Sequence, residues 1–450
     1  LPPQLALALS IIFVLSILYF EKKQSTHSWP SWVPTIWLLY SASKQLGTWL
    51  NITTTVEAGS PPDRYFMLIL GILALLILIK RNFSWSDGLK SNRLLIIIII
   101  YMLLSVLWSR FPEISFRRWG KEAISLLIAF CIMTESNPAR SLLSIFKRVI
   151  YIAIPFSLLL IKYYGVYGRQ YNRWTGELMW VGISDQKNGL ALLCAFAVIF
   201  LIWSITENIK NRKNIQVRVI LLIDLFMLFL AFYLMMGPQR SFNYSVTSFI
   251  SLMFGLITMT GLKIYINKNA YPPRKLITLA LLIILLGFSM PLLGQLPFKE
   301  LATLFGRDAT LTGRTEIWSA LLPYATNKII LGHGFGGFWT SSLRNRISSH
   351  AHNGYLDTIL DLGIIGLFLF AFFLISLTRS CLNFLFSGKQ VYFLFLTMIF
   401  MYLIHNIGES FLGTFSAFPS SLILLIALVA TAEIKVDEIE AKIIQSEIEP

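Results

Sequence analysis

Apolar runs of membrane-spanning length recur along the whole chain and are separated by polar connections. A bilayer core takes about 20 predominantly apolar residues per helix. Windows of that kind fall near 4–20, 32–50, 65–80, 94–108, 117–134, 141–161, 189–206, 218–236, 242–262, 276–293, 356–378, 390–407 and 416–432. The pattern predicts an all-α fold, a polytopic membrane helical bundle of about 12–13 transmembrane helices. The windows at 32–50, with Ser41, Ser43 and Lys44, and at 117–134, with Lys121 and Glu122, are the least apolar. The first run lacks a basic leader and is followed by Glu21-Lys22-Lys23, so it reads as a span and not as a cleaved signal peptide. One polar break, 294–353, is far longer than the others. It divides the chain into an N-terminal bundle (1–293), an external loop (294–353), C-terminal helices (354–432) and a tail (433–450).

Charge orients this bundle. Short connections rich in Lys and Arg alternate with others: Lys22 and Lys23, Lys80 to Arg93, Arg140 to Arg148, Lys210 to Arg218, Lys263 to Lys275, and Arg379 with Lys389. Such loops stay on the cytoplasmic side. The intervening connections, the long loop among them, are therefore expected outside, with the acidic tail inside. Composition agrees: 56% of residues are hydrophobic and 14% charged, where a soluble domain carries about a quarter charged residues. The net charge of +15 follows from the cytoplasmic loops. No basic run interleaves with aromatics on a polar segment, which argues against nucleic-acid binding. Cys131, Cys194 and Cys381 sit in or beside apolar windows without metal-ligand spacing and read as packing residues.

Candidate chemistry concentrates where the long loop meets the next apolar run. His350-Ala-His352-Asn353-Gly354-Tyr355-Leu356-Asp357 places two of the chain's five histidines, an amide and a carboxylate at the mouth of a helix, with Asp361 one turn on. A neutral imidazole suits proton transfer near neutral pH. Asn353 stands at a helix start, where its amide would cap or contact a substrate. Asp357 and Asp361 would orient a histidine, bind sugar hydroxyls or simply form a polar helix face. Arginines persist on the external side despite the topological bias against them, Arg240 and Arg314 among them, and this implies an anionic ligand. The external loops hold no tight carboxylate cluster of the kind that binds Mg²⁺, so no metal and no cofactor is expected. Gly332-His333-Gly334-Phe335-Gly336-Gly337 lacks the Lys-Ser/Thr of a phosphate loop and reads as a connector that brings Arg314 and His352 together.

His352-Asn353, nine residues, then Gly363-Ile364-Ile365-Gly366 reproduces the motif of a His followed by Asn, Ser or Gln, nine residues and Gly-x-x-Gly. Leu311-Thr312-Gly313-Arg314-Thr315-Glu316-Ile317-Trp318, followed by Leu331 to Gly336, adds a second block. On these residues the chain resembles the O-antigen ligase and polymerase superfamily of bacterial envelope glycosyltransferases, most clearly from Met236 to Phe370. The resemblance implies transfer of a polyprenyl-diphosphate-linked glycan to a lipid, glycan or protein acceptor, on the periplasmic face of the inner membrane and among membrane lipids. It implies His352 as the catalytic residue, and Arg240 and Arg314 as the diphosphate clamp. Asn353, Asp357 and Lys187 are expected in support. Gly363 and Gly366, small residues at helical spacing, are expected to let helices approach closely. Ligase, polymerase and protein O-oligosaccharyltransferase share these features. The alternative of another class is a transporter or channel for a small anion.

Overall fold

A computed structural model describes residues 1–24, 28–52, 55, 57–172, 176–210, 212–238, 245–268, 271–293 and 313–448. The protein is an all-α polytopic membrane bundle. Among the described residues nine helices are long and apolar enough to cross a membrane, or ten if Trp85–Ser91 and Arg93–Trp108, bent by 89°, form one broken span. Lys187–Ile209 and Val391–Gly408 occupy the centre and are buried along most of their length, whereas Pro3–Lys22 and Pro61–Lys80 lie at the periphery with apolar side chains facing outward. The one non-helical pairing among the described residues is a two-stranded hairpin, Arg169–Tyr171 against Leu178–Trp180, in the connection before the central helix.

The two least apolar windows owe their polar residues to contacts with connecting segments. In the 32–50 window the helix Trp32–Ala42 ends and Ser43 is extended. Lys44 then turns inward, donating through Nζ to the carbonyls of Gly182 (2.7 Å) and Ser184 (2.6 Å). A buried ammonium held by carbonyls ties this break to the segment after the hairpin. In the 117–134 window, helix Pro112–Phe130 carries Glu122, whose buried carboxylate accepts from Phe415 N (2.6 Å), Ser416 N (3.0 Å) and Ser416 Oγ (2.6 Å). It thereby fixes the last connection, between Gly408 and Ser420. Two of the cations that the charge pattern assigns to the opposite side are paired as well: Arg81 with Glu135 and Lys389 with Glu433, both at 2.7 Å.

The helix that carries the motif, Gly354–Phe386, is broken at Gly363 (φ 67°, ψ −171°). Side chains other than glycine strongly disfavour this backbone region. The break leaves main-chain groups without helical partners, and the long loop supplies them. Leu360 O and Asp361 O accept from His333 N (2.8 Å) and Gly334 N (2.9 Å), Ile364 N donates to Ile329 O (2.7 Å), and Tyr101 Oη donates to Leu362 O (2.8 Å). Gly363 is therefore not a helix–helix contact, as its spacing suggested. A Cβ there would lie 2.1 Å from Ile330 O, and one on Gly332 would lie 2.5 Å from Gly363 N. The two glycines let two backbones touch. The glycine-rich connector that follows Leu331 clasps the kink of the motif helix.

Candidate functional site

Asn353 sets the start of the motif helix. Its side-chain Oδ1 accepts from Leu356 N at 2.9 Å, an N-cap. Its amide Nδ2 donates to Gly287 O (3.0 Å) and Ile407 O (3.2 Å), joining two neighbouring helices. Asn353 is wholly buried, and all its described contacts are internal. His352, one residue before this cap, has φ 51°, in the left-handed region that non-glycine residues rarely occupy. The strain is held by its neighbours: Asn353 N donates to Ser410 Oγ (3.2 Å) and His352 N to His350 Nδ1 (3.2 Å). Because His350 Nδ1 accepts, a neutral His350 carries its proton on Nε2.

Asp357, one turn into the helix, makes no hydrogen bond to either imidazole among the described residues, although it lies close enough to feel the charge of His352. It accepts from Trp339 Nε1 (2.8 Å) and Ala351 N (3.1 Å), while Trp318 Nε1 holds Ala351 O at 2.9 Å. These bonds brace the approach to His352 from both sides.

The group that gathers the site is Glu409, which no motif in the sequence marks. It follows the last residue of Val391–Gly408 and is 3% exposed. Its Oε1 accepts from Asn188 Nδ2 (2.5 Å) and Arg314 Nη2 (3.2 Å). Its Oε2 lies 3.5 Å from His352 Nδ1 and 4.0 Å from His350 Nε2. The first distance is the outer edge of a hydrogen bond, and His352 Nδ1, a buried atom, has no closer partner among the described residues. The two imidazole rings are 4.0 Å apart, centre to centre. The sequence signal for Glu409 is faint, a lone carboxylate in a short connection between two apolar windows.

Arg314 opens the loop helix Arg314–Asn327 behind Gly313, and also donates to Thr247 Oγ1 at 3.3 Å. The structure joins Arg314 and His352 through one carboxylate, Glu409, whereas the glycine-rich connector expected to bring them together bonds to the kink of the motif helix. Lys187 opens the central helix, and its neighbour Asn188 is the residue whose side chain reaches Glu409. Arg240 lies outside the described residues.

Electrostatics follow from burial and proximity. Burial alone would raise the Glu409 carboxyl, but the contact and charge of His352, then the charges of Arg314 and His350, hold it well below the usual carboxylate range. Burial pushes His350 down to about 3, helped by the charge of His352 and opposed by Glu409. At neutral pH the cluster therefore contains an ionised Glu409, a neutral His350 and a fixed guanidinium. The chemistry available is a carboxylate-steered imidazole beside an anion-binding arginine.

Residues 225–371 match the Wzy_C family, described as O-antigen ligase, a stretch that contains Arg314, the clasp and the whole His352–Gly366 motif. Over that stretch the chain is similar to the O-antigen ligase superfamily. A relative, the exopolysaccharide production protein ExoQ of Rhizobium meliloti (strain 1021), is 23% identical over 292 residues, with 62% of this chain and 62% of the relative covered. The chain thus spans under two thirds of the length of that relative. Glu409 and Asn188 both lie outside the matched family region, so the O-antigen ligase segment receives two of its contacts from flanking helices. His350, His352 and Glu409 also offer ligand atoms within 4.8 Å of one another, close enough to hold a metal ion. Against that use, Arg314 puts a permanent cation on the same carboxylate.

Proposed function

We propose that this chain transfers a glycan from a polyprenyl diphosphate carrier to an acceptor hydroxyl on the external face of the cytoplasmic membrane, without a metal. The observation that carries the proposal is the single buried carboxylate, Glu409, shared between His352 and Arg314. Attack at the anomeric carbon needs a hydroxyl that loses its proton and a diphosphate that leaves with the bonding electron pair. With Nδ1 turned to Glu409, His352 keeps Nε2 free to take that proton, and the carboxylate stabilises the imidazolium that results. The new bond joins the acceptor oxygen to the sugar, and the old one breaks towards the diphosphate. Arg314, joined by Arg240, neutralises the leaving charge. A guanidinium fork suits phosphate oxygens better than a lysine point charge.

The name of the relative, an exopolysaccharide production protein, favours polymer building over ligation to a lipid core or a protein. An anion transporter would place its ionisable groups at mid-membrane on broken helices facing a pore. Here they gather at helix ends, against a loop.

The test is transfer in proteoliposomes supplied with a polyprenyl-diphosphate glycan and candidate acceptors. His352→Ala should lower the rate by about 10²–10⁴ while donor binding persists. Arg314→Lys should cost about 10²–10³, nearly as much as Arg314→Ala. A His352→Ala protein turning over within a few-fold of wild type would sink the proposal.

A further inference from the structure

Arg314 is held from two helices at once. Its Nη2 donates to Thr247 Oγ1 (3.3 Å), at the start of Val246–Lys268, and to Glu409 Oε1 (3.2 Å), just past the end of Val391–Gly408. The guanidinium keeps both partners only while those two helices hold one register. A Cβ on Gly408 would lie 2.9 Å from Arg314 Nη1 and 2.9 Å from Thr247 Cγ2, so the glycine lets the three elements meet.

The register can be followed down the seam between the two helices. They run antiparallel, and successive turns face each other: Thr247 lies beside Gly408, Ser251 meets His405, and Gly255 packs on Met401. Each step is four residues on either helix, about one turn. The lowest rung is apolar, a methionine laid against a glycine, and such a contact tolerates sliding. The middle rung is polar. Ser251 Oγ and His405 Nδ1 are 3.2 Å apart, and both residues are wholly buried. Ser251 Oγ donates its own proton to Thr247 O (2.8 Å), so it meets the imidazole as an acceptor, and His405 carries its proton on Nδ1. The other ring nitrogen, Nε2, is buried without a hydrogen-bond partner among the described residues. A dry ring nitrogen is a cost that packing does not require, because an apolar side chain would fill the same space without it.

We propose that His405 is a positioning residue for Arg314. One turn beneath the site, its bond to Ser251 locks the two helices in the register that keeps Thr247 and Glu409 on the same guanidinium. His405 itself touches neither donor nor acceptor in this assignment. The assignment rests on the glycosyl-transfer reading above only for what Arg314 then meets, the leaving diphosphate.

The experiment uses the full chain in lipid nanodiscs and reads Arg314 directly, by the rate at which the arginine-selective reagent phenylglyoxal modifies it, followed by mass spectrometry. The amide nitrogen of asparagine can take the place of Nδ1, and that of glutamine the place of Nε2. His405→Gln should therefore speed modification of Arg314 by about tenfold, the scale of one lost buried hydrogen bond, and His405→Asn should restore most of the wild-type protection. In transfer assays His405→Gln should raise KM for the donor by about the same factor and leave KM for the acceptor unchanged. Thr247→Val should act alike, and the double variant should be no worse than either single one, because both act on one contact in series. Equal effects of Asn and Gln, unchanged labelling in His405→Gln, additive losses in the double variant, or a shift confined to acceptor KM would each overturn the assignment. Should His405→Gln fail to fold, Ser251→Ala removes the acceptor from the facing helix and carries the same test. Faster labelling of Arg314 in His405→Gln, with no transfer by any protein, would sink the transferase reading and leave the positioning role standing.

Discussion

At the scale of the residue, the site is a set of unlike charges kept apart by tautomer and burial. His350 is depressed to about 3, first by burial and then by the charge of His352. A depressed folded-state pKa means that the unfolded chain binds the extra proton first, so stability is present above the ordinary value of about 6.5 and is lost as pH falls from there towards 3. Glu409 is depressed as well, and its contribution is lost further into acid. Melting temperature should therefore decline on acidification below neutrality, and His350→Asn should flatten the first part of that decline. An unchanged slope in the variant would remove His350 as its cause. Glu409→Gln tests the partner: the amide keeps the shape but removes the charge that His352 and Arg314 share. Transfer should fall by about 10²–10⁴, the range of the base it steers, and a rate near that of wild type would detach Glu409 from the chemistry.

At the scale of the element, the motif helix shows what could be read from the sequence and what could not. The apolar window 356–378 and the polar mouth before it were legible because helix period and bilayer length act on local sequence. The capping by Asn353 was one of two open readings of the same letters. Gly363 was misread, because a small residue at helical spacing looks alike whether it admits a second helix or a second backbone. Only the arrival of Ile329–Gly334 from elsewhere in the chain distinguishes the two. Glu409 was illegible for a related reason, since nothing near it in sequence announces a histidine more than fifty residues away. Gly363→Ala should be severely destabilising. The residue would meet about 1–3 kcal/mol from a backbone region essentially confined to glycine and, beyond that, a collision with Ile330 O at 2.1 Å that backbone cannot avoid by rotation. Detergent-solubilised melting and transfer should both collapse. A variant that melts like wild type would mean that the kink is not needed.

At the scale of the whole molecule, the charge alternation carries our proposal that the His352 cluster faces outside. Ser342, exposed on the short helix Ser341–Arg346, is the position to probe, since Ser341 beside it is held by Glu57. With the three buried cysteines replaced, Ser342→Cys should react with an impermeant maleimide in intact spheroplasts. Reaction confined to permeabilised membranes would reverse the orientation and with it the proposed chemistry. Metal dependence is also a property of the assembled site, because His350, His352 and Glu409 come together only in the fold. Transfer should survive EDTA, and activity lost to the chelator and restored by a divalent ion would give those three groups a different role.

The clasp at Gly363 also bears on how the chain is made. A helix entering the hydrocarbon with open main-chain groups faces several kcal/mol for each of them, and here the groups that close them, Ile329, His333 and Gly334, precede the helix in synthesis. On the proposed orientation, the loop has crossed the membrane and is waiting when Gly354–Phe386 leaves the translocon. Tyr101, already inserted, supplies the hydroxyl for Leu362 O. The kink thus sets an order of assembly, and shortening the stretch between Leu293 and Gly313 should appear first as a biogenesis defect. Nascent chains would then stall in a protease-sensitive state, before any measurement of transfer could be made.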